Sequence, residues 1–89
     1  MDSLKDRKEA LWWRTISAHV QCVSASNNMY ALLTHSSAHL LVSNCAVALE
    51  FVKFTVEQYP DYTLQLNSYR VSINNMRDSA YTIINRLEA

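Results

Sequence analysis

Residues 62–87 read YTLQLNSYRVSINNMRDSAYTIINRL, and this stretch decides the fold class. Apolar or aromatic side chains fall at Tyr62, Leu66, Tyr69, Ile73, Met76, Ala80, Ile83 and Leu87. The steps alternate four and three along the whole run, which is the a/d seam of a helix packed lengthwise against another. Just upstream stands Tyr59-Pro60-Asp61. A residue before proline is pushed out of the α region, so the preceding helix ends by Gln58 and a new one starts near Tyr62.

Residues 29–58 continue the pattern with two adjacent stripes. One is Leu33, Ser37, Leu40, Asn44, Val47, Phe51 and Phe54; the other is Ala38, Leu41, Cys45, Ala48, Val52 and Val56. Together they cover roughly 200° of a helix, against the ~100° stripe of an ordinary surface helix. This helix is therefore expected at the centre, touched from two sides. Upstream again, Trp13, Ile16, Val20 and Val23 recur at spacings of three and four and predict a core-facing helix over about 3–25, flanked by Trp12 and His19. Asp2 or Ser3 can cap it. Ser26-Asn27-Asn28 reads as the turn between the first two helices, because Asn tolerates the left-handed conformation. The expectation is one all-α domain over residues 1–89, with three long helices (about 3–25, 29–58 and 62–87) in an antiparallel up-down-up bundle.

Composition supports long helices and excludes several functions. Glycine is absent and proline occurs once. Phosphate-cradling loops, dinucleotide fingerprints and nucleophile elbows all lean on glycine, so these sites are excluded. Carboxylates are few, and no Glu-x-x-His pair recurs as a di-iron bundle needs. An enzyme is not expected, and neither is a cofactor. The formal net charge is zero, with eight basic and eight acidic side chains. Phosphate-driven nucleic-acid binding usually needs a strongly basic surface, so nucleic acid is not an expected partner. No charge falls between Thr15 and Leu49, but Ser, Asn, Thr and His interrupt that run, which argues against a membrane span. Cys22 and Cys45 do not make a disulfide framework and read as reduced thiols, consistent with a cytoplasmic protein.

A turn centred near Asn27 would set His19 opposite His35 and Trp13 opposite Leu41. The charged start Lys5-Asp6-Arg7-Lys8-Glu9 would then lie beside the most apolar part of helix 2. On that alignment Cys45, Ala48, Val52 and Val56 lack a partner within the chain. With Trp12 they are the expected interface, either to another copy or to a different protein. Asn44, inside an apolar seam, is a candidate for fixing register or oligomeric state. The chain is thus expected to be a homo-oligomeric interaction protein: an adaptor, inhibitor or chaperone-like module that masks another macromolecule.

Two side-chain sets could bind ligands. Arg70, Asn74, Arg77 and Tyr81 form one line on the last helix and could hold an anionic ligand or nucleotide at a subunit boundary. His19-x-x-Cys22 and His35-x-x-x-His39 have spacings that suit zinc. However, His35 and His39 belong to the polar face of helix 2, where histidines are ordinarily solvated, so no metal is expected there.

Overall fold

The computed structural model of the chain describes residues 4–89. Three long helices pack against one another: α1 (Leu4–Leu32), α2 (His35–Gln58) and α3 (Thr63–Glu88). A single 3-10 turn, Pro60–Tyr62, joins the last two, and no strand occurs among the described residues. The cap expected from Asp2 or Ser3 lies outside the described residues.

The break before α3 stands where the proline places it. The break between α1 and α2 does not. Asn27 and Asn28 are helical, and the chain turns at Leu33 and Thr34 instead. Leu33 takes the left-handed conformation, at φ 50°, and its N–H reaches the Met29 carbonyl at 2.7 Å. Thr34 is the N-cap of α2. Its hydroxyl accepts the Ser37 N–H, while Ser37 Oγ accepts the Thr34 N–H. This reciprocal capping box satisfies two helix-end donors at once, and Thr34-x-x-Ser37 is its sequence form. The box outweighed the left-handed tolerance of the two asparagines, although a leucine had to take the strained position.

Moving the turn slides α1 along α2. Cys22 now meets Cys45, and Thr15 meets Thr55, rather than Trp13 facing Leu41. Two expectations are thereby corrected. Cys45, Ala48 and Val52 do not lack a partner: they are fully or almost fully buried within the chain, and Val56 is half-buried. Trp13, Val20 and Val23 are not core residues but exposed ones, and Ile16 is half-buried. The buried face of α1 is instead Thr15, Ala18, Cys22, Ala25 and Met29.

The core has two unlike seams. On α1 and α2 it holds many small side chains, namely Ala18, Cys22, Ala25, Ala38, Cys45 and Ala48, beside the larger Met29 and Leu41. On α3 it is built of larger ones: Leu66, Ile73, Ile83 and Ile84, with Tyr69 and Met76 partly covered. Ala80 completes the expected α3 seam, while its outermost members, Tyr62 and Leu87, stay exposed. Contacts between α1 and α3 are slight, so α2 holds the other two together. The result is an elongated slab of 50 × 26 × 16 Å with a radius of gyration of 14.6 Å. A compact domain of this length would have a radius of gyration of about 12 Å. A slab barely thicker than one helix has two broad faces and little interior.

Candidate functional site

The slab leaves large apolar side chains outside the core. On α2 they are Leu40, Val47 and Phe54, exposed by 53%, 54% and 47%, and in the turn before it Leu33, exposed by 51%. The three helical residues stand seven apart, so they form one line on the helix. Half-buried Asn44 and Phe51 fill the positions between them. The side of α2 that turns to α3 carries Leu49, Lys53 and Val56, which line a groove with Asn67, Arg70 and Asn74. Leu40, Val47 and Phe54 lie about 150° round the helix from that side, on the face away from α3. On α1 a second set, Trp13, Val20, Val23 and Tyr30, is also exposed. By length and composition α2 could cross a membrane, a test that core helices pass as well.

The stripe expected as an interface and the stripe observed as exposed are therefore neighbours on the same helix. The two tryptophans exchange roles in the same way. Trp12, expected at an interface, packs edge-on against Tyr59 and Tyr62, with ring centroids at 5.2 and 5.3 Å. Trp13 is 64% exposed.

Within the α1/α2 seam, polar groups are paired locally. Thr15 Oγ1 lies 2.5 Å from Thr55 Oγ1. It can also donate to the Leu11 carbonyl at 2.9 Å, while Thr55 donates to the Phe51 carbonyl at 2.6 Å. Cys22 and Cys45 are both free and buried. Burial pushes the Cys22 thiol up to about 12, with Cys45 beside it adding to the rise; burial likewise raises Cys45. Thiols held protonated in this way are poor nucleophiles and poor metal ligands.

The four residues considered for zinc separate. His19 stacks on Tyr69 with centroids at 4.8 Å, and its Nε2 lies 3.3 Å from Ser72 Oγ. Burial lowers its pKa below the usual histidine value. Cys22 turns to Cys45. His35 and His39 remain together and exposed at the start of α2, where Glu88 of α3 joins them. Glu88 was missed by the sequence reading. Laying α3 back along α2 about Pro60 would have brought it level with the start of α2.

The arginine line divides as well. Arg70 and Asn74 line the groove of about 530 Å³ between α2 and α3, whereas Arg77 and Tyr81 do not. Lys53 shares the groove with Arg70, but Glu50 and Glu57 line it too, so its charges balance and it carries no preference for an anion. Comparisons with family models, with curated proteins and with solved structures match nothing.

Proposed function

We propose that the chain is a small non-enzymatic interaction module of the cytoplasm. It works as a homo-oligomer, with α2 as the self-association helix and the exposed side of α1 free for another protein. One observation carries this reading: the line of Leu40, Val47 and Phe54, each about half exposed, on the face of α2 away from α3. Side chains of this size at such exposure leave on the order of 300 Å² of apolar surface in one stripe, at the low end of the range that marks interaction sites on soluble proteins.

The spacing also suits a partner of the same sequence. In an antiparallel two-fold pairing of α2 with its copy, Leu40 would face the copy's Val47. Asn44 would sit near the axis, where a polar residue can fix register. Within each protomer the helices run up-down-up, an arrangement supported by Thr15 meeting Thr55 while Cys22 meets Cys45.

The test is solution mass by light scattering over a hundredfold dilution series, for the native chain and for Val47→Glu. The expected result is a native dimer that the charge converts to a monomer of unchanged helicity. A native chain that is monomeric throughout, or that partitions into neutral lipid vesicles through α2, would overturn the proposal.

A further inference from the structure

We propose that His35, His39 and Glu88 form a binding site for a divalent transition metal of the zinc class, joining the last turn of α3 to the first turn of α2. His35 opens α2, and His39 follows one turn later on the same face. Their rings stand edge to face, with centroids 5.4 Å apart. His35 Nε2 lies 3.5 Å from Glu88 Oε1. The three ligand atoms, one from each residue, all lie within 4.8 Å of one another.

A tetrahedral zinc ion holds nitrogen and oxygen ligands at about 2.0–2.2 Å, which sets its ligand-to-ligand edges at about 3.4 Å. The His35–Glu88 edge already has that length. The remaining edges close by at most about 1.4 Å, within reach of χ rotations in exposed side chains. Two imidazoles with one carboxylate select zinc and its neighbours over calcium or magnesium, which prefer all-oxygen shells. Because all three residues are exposed, water has access to the fourth position. The site also adjoins the Leu33–Thr34 turn, so a bound ion would brace the strained end of the hairpin.

Isothermal titration calorimetry of the chelator-treated full chain with zinc chloride tests the proposal, with magnesium chloride as control. One zinc ion per chain is expected, and no magnesium. His39→Ala should weaken zinc binding at least about tenfold, and Glu88→Gln should weaken it also. His19→Gln and Cys45→Ala should leave it unchanged. Zinc should raise the melting temperature of the native chain but not of His39→Ala. Both ligand variants lie at exposed positions, and circular dichroism checks that they fold. The site is refuted by absent binding, by affinity unchanged in His39→Ala, by loss of binding in Cys45→Ala, or by one ion per two chains.

Discussion

The inner and outer stripes of α2 run side by side over the same length. The inner one is Ala38, Leu41, Cys45, Ala48 and Val52; the outer one is Leu40, Val47 and Phe54. Three of the five buried ones, Ala38, Cys45 and Ala48, are small. They face Ala18, Cys22 and Ala25 of α1, which are also small, so the two helices meet closely along their length. The same residue types lie on both stripes, Leu41 and Val52 inside, Leu40 and Val47 outside, so helix register and not hydrophobicity decides which is covered. In a monomer that is a poor use of Phe54 and Leu40. In an assembly whose second interface lies outside the monomer, it is what the physics requires.

Adjacent residues give the sharpest way to break this comparison. Ala48 is fully buried and Val47 is 54% exposed. Ala48→Leu adds volume where two helices touch and should cost about 1–3 kcal/mol or more. Val47→Ala should change the stability of the dilute monomer by no more than about 0.5 kcal/mol. Urea denaturation at low protein concentration checks both. Equal costs would mean that the outer stripe is also covered in the dilute chain.

A smaller effect separates the seams by pH. The Cys22 thiol has its pKa raised, by burial first and by Cys45 second, from an ordinary value of 9.0 to about 12. The folded state therefore resists forming a thiolate that the unfolded chain forms readily. This contribution is fully present below about pH 9 and is lost as pH rises through about 12. By about pH 10 the loss should be on the order of 1 kcal/mol, and Cys22→Ala should reduce it. The measurement is the urea midpoint of both proteins across the alkaline range. An unchanged slope in the variant would place the origin of the loss at a group other than Cys22.

How much of this was legible before the coordinates depends on one turn. The α3 seam was readable because eight residues keep a single register and Pro60 fixes where it starts. On α2 both stripes were readable, but which of them faces inward was not. Periodicity gives a face, and only the partner's register says what covers it. That register hung on Asn27-Asn28 against Thr34-x-x-Ser37. Two asparagines can sit inside a helix at modest cost, whereas the Thr34 box satisfies two backbone donors. Trp13, Val20 and Val23 went astray for a second reason. Large apolar side chains at helical spacing were read as core, yet apart from Met29 the core face of α1 is small and holds a threonine. His35 and His39 were read correctly as exposed, but Glu88 is 49 positions beyond His39 in the chain, and no local pattern links them.

The smallest effect concerns the hydroxyls of the inner seam. Thr15 and Thr55 are buried opposite one another, and a pair of this kind could set the register of α1 on α2. Each also has a carbonyl of its own helix within reach four residues back: Leu11 for Thr15 and Phe51 for Thr55. Neither hydroxyl is therefore orphaned when the other is removed. Thr15→Val keeps the shape, loses one shared hydrogen bond and gains a buried methyl group, so its cost should stay below about 1 kcal/mol. Thr55→Val should behave alike, and the double variant should show a coupling of no more than about 0.5 kcal/mol in a urea double-mutant cycle. That outcome would leave the register to the small apolar side chains around Cys22, Cys45 and Ala48. A cost above about 2 kcal/mol for either single change would assign it to the hydroxyl pair, because local carbonyls could then not account for what was lost.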